Sequence, residues 1–338
     1  LDMPLLGLGA ESDWILLAPC DFDRAFCHDV LVNEISRRMG QWAPRHRFVE
    51  VFFNADGNDL DTTTDYIGVY LLTEKIKPDA NRLAITKMEL ADTTMPAVSG
   101  GYVFKIDRVD PGEFSWLTKR GIPNNSPGYT RMQQFVHVYP KTEDSLPAQR
   151  DWLQAEVQAV EDALYNADWA TFHERADAPS WIVHHMINVY AKNADGFRLS
   201  AFWHKDRLGK IKAGPLWDFD RSLESTDPRD NEYYGWHPTG DGTPGFAYDW
   251  WGRWFETNPD ARQAWVDRWQ ELRVPGGTLA DATINALLDG YVAELGALAP
   301  ARNLARWTSD QPRGDYDRNG VTNHVDEVYH IKSWLAQR

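Results

Sequence analysis

The chain has 338 residues, 43% hydrophobic and 25% charged, so it is globular and long enough for a large core. Its net charge of −15 argues against a nucleic-acid binder, which carries a basic face, and no apolar run reaches the length of a membrane span. No basic-plus-apolar leader opens it: Leu1-Asp2-Met3-Pro4 reads as the middle of a longer, trimmed polypeptide.

Trp14–Ala18 is a short apolar run that predicts a strand. Asp23 then reads as an N-cap, with Phe26, Val30, Leu31 and Ile35 near helical spacing and Gly40 as the stop. Arg47–Phe53 alternates as a strand, and Tyr66–Leu72 is its hairpin partner across the acidic loop Asn54–Asp65. Arg82–Thr86, Tyr102–Asp107 and Gln133–Val138 are further strand candidates. From Pro147 the texture becomes helical: Trp152, Leu153, Val157, Val160 and Leu164 mark one face. Pro179 starts a second helix, Trp181–Lys192, apolar almost all round and therefore buried. Leu199–His204 and Lys210–Ala213 form a short hairpin. A Gly/Pro/Tyr-rich loop, Asp227–Ala247, and further helices follow. A β-rich part, 1–145, and a mostly helical part, 146–338, meeting near Lys141–Leu146, predict an α+β, two-lobed, kinase-like fold. Cys20 and Cys27 allow either a disulfide or two buried free thiols. Sixteen tryptophans suit either a carbohydrate-binding surface or, more commonly, large core anchors.

Two acidic sites flank that hairpin: Asn193-Ala194-Asp195-Gly196 before it and Trp217-Asp218-Phe219-Asp220 after it. Phosphoryl transfer divides its labour this way, one carboxylate orienting the attacking hydroxyl and another holding the metal that screens the phosphates. Asp218 is the expected metal ligand, and Asp220 either a second ligand or an acceptor tying down its loop; a hard cation such as Mg²⁺ takes carboxylate oxygens and keeps water elsewhere. Asp-x-Asp is also a glycosyltransferase signature, and Asp21-Phe22-Asp23 matches it too, so the motif alone is weak. Asp195 also reads as an ordinary turn residue after a helix. Trp217 either lines a nucleotide pocket or anchors the core, the commoner role. Glu74 is either the partner of a phosphate-binding lysine or metal, or an exposed charge beside Lys75 and Lys77. Lys105 reads as a solvated strand residue.

Several ordered motifs resemble the spore-coat CotH kinase family over roughly residues 5–338. They are Leu5-Leu6-Gly7-Leu8 with Ser12-Asp13-Trp14-Ile15-Leu16-Leu17-Ala18, Tyr66-Ile67-Gly68-Val69-Tyr70-Leu71-Leu72-Thr73-Glu74-Lys75-Ile76, and the two acidic loops. Ala301-Arg302-Asn303, Arg306-Trp307 and Ile331-Lys332-Ser333-Trp334-Leu335 complete the set. The resemblance implies an atypical, secreted-type kinase that uses ATP and Mg²⁺ or Mn²⁺ to phosphorylate Ser or Thr of a coat or surface protein. It implies Asp195 as the catalytic carboxylate and a place outside the cell or on its surface. Relatives carry Asn where this sequence has Ser200, and an earlier R-G-x-S-S…K-K-x-Y stretch with a candidate phosphate-binding lysine that has no counterpart here.

Asp315-Tyr316-Asp317-Arg318-Asn319-Gly320-Val321-Thr322-Asn323-His324-Val325-Asp326 is a separate signal. Asp315, Asp317, Asn319 and Asp326, with the Val321 carbonyl, fit the oxygen-ligand spacing of a calcium loop, and the glycine falls where the sharp turn needs it. The bland alternative is a polar turn capped by Asp326. A bound Ca²⁺ would be structural, pinning the last helix; Asp56–Asp65 is a weaker candidate. His184-His185 point about 100° apart on a helix and do not share one ion. No Gly-x-Ser-x-Gly, His-Glu-x-x-His or Cys-x-x-Cys motif supports a hydrolase or zinc reading. The expectation is a metal-dependent protein kinase; the alternatives are a calcium-stabilised scaffold or adhesion module without catalysis, or another transferase on the same fold.

Overall fold

The computed structural model of the chain describes residues 2–19, 22–122, 134–235, 249–308 and 324–338. In chain order the first half holds β1 (Trp14–Leu17), α1 (His28–Arg38), β2 (His46–Phe52), β3 (Tyr66–Glu74), β4 (Tyr102–Ile106), β5 (Ser115–Leu117) and β6 (Gln134–Tyr139). The second half holds α2 (Pro147–Asn166), α3 (Trp169–Arg175), α4 (Ala178–Tyr190), β7 (Ala201–Lys205), β8 (Ile211–Ala213), α5 (Asp249–Thr257), α6 (Pro259–Arg273), α7 (Asp281–Leu295), α8 (Leu298–Arg306) and α9 (His324–Leu335). The fold is α+β, as the sequence predicts.

Three strands form one antiparallel sheet in the order β1-β3-β2. β1 covers only Leu71–Glu74 of β3, and among the described residues the remaining edge of the central strand has no strand partner. Helix α8 closes that edge with side chains. Asn303 Oδ1 accepts from the Val69 amide at 2.9 Å, Trp307 Nε1 donates to the Ile67 carbonyl at 2.8 Å, and Arg306 Nε to the Tyr66 carbonyl at 3.1 Å. Gly68 (φ +133°) is what lets the helix approach, because a Cβ there would lie 2.6 Å from Asn303 Oδ1. Two motifs some 230 residues apart in sequence are thus halves of one joint.

The second sheet is antiparallel in the order β5-β6-β4-β7-β8. β4 pairs with β7, Tyr102 opposite Lys205 through Ile106 opposite Ala201, so the sheet spans the boundary expected near Lys141–Leu146. One core cluster likewise runs from Ala25 to Leu335. Tryptophans fill it: Trp181 stacks on Trp250 at 5.5 Å, and Trp203, Trp251 and Trp254 are buried beside them, the core-anchor role expected for this composition.

Local differences have local causes. Asp23 does cap α1, but from upstream, accepting from the Ala25 amide at 3.1 Å and the His28 amide at 2.8 Å while Cys27 takes the N-cap position. Arg82–Thr86 forms no strand; its one pairing among the described residues is an isolated bridge between Leu83 and Pro78. Ala167 ends α2 in a left-handed conformation (φ +54°), and Asp168 caps α3 directly after it. No helix among the described residues is long and apolar enough to cross a membrane.

Candidate active site

α4 is buried on nearly every side, so its C-terminal end is a fixed platform. The loop leaving it is joined to the loop after β8 by main-chain hydrogen bonds, Leu223 N to Ala191 O at 2.8 Å and Ala194 N to Arg221 O at 3.0 Å. Asn193 adds a side-chain bridge. Its Oδ1 accepts from the Asp195 amide at 3.0 Å, and its Nδ2 reaches the Asp218 carbonyl at 3.5 Å. Gly196 lies so close to α4 that a Cβ would stand 1.9 Å from Asn188 Oδ1. The two acidic loops therefore converge, held by one amide and one obligatory glycine.

In the second loop Asp218 takes a left-handed conformation (φ +63°), as does Ser200 opposite it (φ +53°). The Ser200 hydroxyl donates to Asp218 Oδ2 at 3.0 Å, so the residue standing where relatives have Asn still touches the metal-ligand candidate. The start of α1 holds the loop from below. Asp29 accepts from the Phe219 amide at 3.2 Å and from the Asp218 amide. His28 Nδ1 lies 3.2 Å from the Asp220 carbonyl oxygen, and its Nε2 lies 3.3 Å from Asp23. Burial, reinforced by the Asp218 charge, pushes the Asp29 carboxyl up to about 7. Burial and the charges of Asp218 and Asp29 push Asp220 up to about 8. Asp218 keeps solvent access, yet protein crowds it on most sides; that crowding raises its carboxyl, Asp195 and Asp107 add to the rise, and the Ser200 hydroxyl opposes it.

The Asp218 and Asp220 carboxyls interact, which favours a proton shared between them where no cation joins them. Among the described residues no three His, Cys, Asp or Glu side chains form a ready-made ligand set. Two carboxylates with solvent on one side fit a hard divalent ion that draws its other oxygens from phosphates and water.

Asp195 stands among arginines. Arg198 donates to its Oδ1 at 2.6 Å, Arg229 lies 3.5 Å from the same oxygen, and Arg221 Nε is 3.8 Å from Oδ2. Arg229 also grips Asp227 with two hydrogen bonds, 2.9 Å and 2.6 Å. Among the described residues Asp195 Oδ2 accepts no hydrogen bond, which leaves it open to an incoming hydroxyl.

The other expected residues fall elsewhere. Glu74 is fully buried and paired with Arg45, which donates from its amide at 2.9 Å and from its guanidinium at 2.6 Å, and Arg82 lies 3.7 Å away. It is neither an exposed charge nor the partner of a lysine. Trp217 is half-buried and packs edge-on against Phe202 beside Val103 and Leu83. Lys105 pairs with Asp107 at 3.4 Å, and the Asp107 charge is among those that raise the Asp218 carboxyl. His184 and His185 are buried neutral rings, pushed down by desolvation, the former to about 3. Cys27 is a buried free thiol, and Cys20 lies outside the described residues. In the Asp56–Asp65 loop, Asp56 and Asp61 accept from nearby amides and act as turn residues. Asp315, Asp317, Asn319 and Val321 lie outside the described residues; Asp326 is exposed in the first turn of α9.

Sequence reasoning gave no role to Asn193, Asp29, His28 or the three arginines. Asn193 stands inside the quoted motif and Arg221 directly follows Asp-Phe-Asp, so position alone marks both. Asp29 looks like any acidic residue in a first helical turn.

No curated protein matches the chain. A family model described as CotH kinase protein matches residues 2–338, the stretch that carries both acidic loops, the glycine of β3 and the α8 residues that dock on it. With nearly its whole length matched, the chain belongs to the CotH kinase protein family.

Proposed function

We propose that this chain is a metal-dependent phosphotransferase, kinase-like in the layout of its site, that moves the γ-phosphate of ATP to a Ser or Thr hydroxyl of a coat or cell-surface protein. The observation that carries this reading is the fastening of two acidic loops to each other, with Asn193 touching both. Asp195 Oδ2 receives the acceptor hydroxyl as base or orienting group, while Arg198 fixes Oδ1. Asp218 and Asp220 would hold Mg²⁺ or Mn²⁺, which when bound screens the phosphate charge. Ser200 and Asp29 hold Asp218 in its left-handed conformation from two sides. A structural Ca²⁺ at Asp315–Asp326 and a location outside the cell or on its surface belong to the same proposal.

Incubation with labelled ATP, Mg²⁺ or Mn²⁺ and a pool of coat-type proteins tests it. Label should enter Ser or Thr, and Asp195→Asn and Asp218→Asn should each cut transfer by about 10²-fold or more. Full activity in both variants would reject the assignment. Absence of any heat on titrating ATP with metal would leave a non-catalytic scaffold as the reading.

A further inference from the structure

Arg198, Arg221 and Arg229 all face Asp195, but they are not equivalent. Arg198 and Arg229 are mostly buried, 15% and 13% exposed, and strongly engaged, the first with Asp195 at 2.6 Å and the second with both oxygens of Asp227. The Arg221 side chain is 36% exposed, and its guanidinium makes one hydrogen bond among the described residues, to Asp227 Oδ2 at 3.2 Å. A guanidinium has five N–H donors, so most of this one's capacity faces solvent.

Its placement is nonetheless fixed. The Arg221 carbonyl accepts from the Ala194 amide, so its backbone is fastened to the loop bearing Asp195. Its guanidinium lies over the Phe22 ring at 3.9 Å, a contact that sets the plane and consumes no N–H. It follows Asp220 directly in the chain and stands 3.8 Å from the open oxygen of Asp195. Its charge acts on both sides of the site, on Asp195 at 3.8 Å and on the Asp220 carboxyl, which it lowers, and a phosphoryl group in transfer would meet it there.

We propose that Arg221 is a catalytic cation that donates N–H hydrogen bonds to the non-bridging oxygens of the transferring phosphoryl group. The inference rests on the kinase reading above and adds the residue that meets the reacting phosphate. In the step, the bond from the γ-phosphorus to the β,γ-bridging oxygen breaks and its electron pair stays on ADP. A bond from the acceptor oxygen to phosphorus forms, and the hydroxyl proton passes to Asp195 Oδ2 and then to water. Arg221 keeps its protons throughout; its charge offsets the negative charge spread over the phosphoryl oxygens. An arginine supplied in this way accelerates phosphoryl transfer by about 10³–10⁵ in other nucleotide enzymes. The alternative is that Arg221 only neutralises Asp195 and Asp227.

The test compares wild type, Arg221→Ala and Arg221→Lys as full chains, with thermal melts to confirm folding. Expected for Arg221→Ala is a fall in kcat of about 10³ or more, with ATP affinity held within a few-fold. Millimolar guanidinium should restore part of that activity, and Arg221→Lys should retain only part of it. Binding of ADP with metal and aluminium fluoride, a planar mimic of the phosphoryl group, should weaken sharply in Arg221→Ala while ADP binding persists. An Arg221→Ala enzyme with near-normal kcat, or one whose loss lies in KM alone, or one that guanidinium cannot rescue, overturns the inference and leaves the kinase reading standing. Wild-type protein that transfers no phosphate removes both.

Discussion

To act on a substrate hydroxyl, a carboxylate needs one oxygen held and the other open, and Asp195 has that asymmetry. Replacing it by Asn keeps the contact with Arg198 as a weaker neutral one but removes the proton acceptor. We therefore expect kcat to fall by about 10²–10⁴ with ATP binding retained, measured by steady-state transfer and calorimetry. Asp218→Asn should instead lose metal-dependent ATP binding. The raised carboxyls of Asp29 and Asp220 carry a pH consequence. Their folded proton affinity exceeds that of an unfolded carboxylate, near 4. Their contribution to stability is full below pH about 4 and is lost as pH rises through about 7 and about 8. In chelator, this pair should lower the melting temperature progressively between those limits, and Mg²⁺ or Mn²⁺ should recover more of it at pH 8 than at pH 5. A metal-induced gain that shrinks as pH rises would contradict this. Residue types made Asp195, Asp218 and Asp220 legible beforehand, because the chemistry needs carboxylates and the spacing put them at the ends of one hairpin. Asn193 and Asp29 were not legible as site residues, since an amide in a turn and an acid in a first helical turn have ordinary local explanations.

At the level of elements, the β7–β8 hairpin sets the separation of the two loops, and α4 sets their depth. Its alternating residues and the all-apolar helix before it gave this part away in sequence. Contacts across the gap did not show, because nothing local requires Gly196 to lie under Asn188. Gly196→Ala should force that loop outward. We expect a loss of about 1–3 kcal/mol in chemical denaturation, the usual cost of overpacking, with a disproportionate fall in activity because Asp195 moves with it. Asn188→Ala in the same chain should recover part of the stability; a double variant no better than the single would show that the contact is not the cause. The strand expected at Arg82–Thr86 shows the complementary limit: a candidate strand needs a partner, and this segment makes only the isolated bridge of Leu83 with Pro78.

Across the molecule, the β4–β7 pairing decides how the chain comes apart. Phe104 stacks on Trp203 at 6.1 Å across that pairing, so the first half is missing part of its own interior when isolated. Calorimetry of the whole chain should show a single cooperative transition, and a fragment of residues 1–145 should lack the near-ultraviolet signature of packed aromatics. Two separated transitions would instead favour independent lobes. Residue patterning along the chain forecast the mixture of sheet and helix, but not this sharing, since long-range pairing leaves no periodic trace. The same limit applies to Gly68 and Asn303, whose joint closes the open edge of β3. Neither position is at liberty to drift alone. Among descendants of this chain, a methyl group gained at 68 should arrive together with a shorter side chain at 303, and the two substitutions should be rare apart.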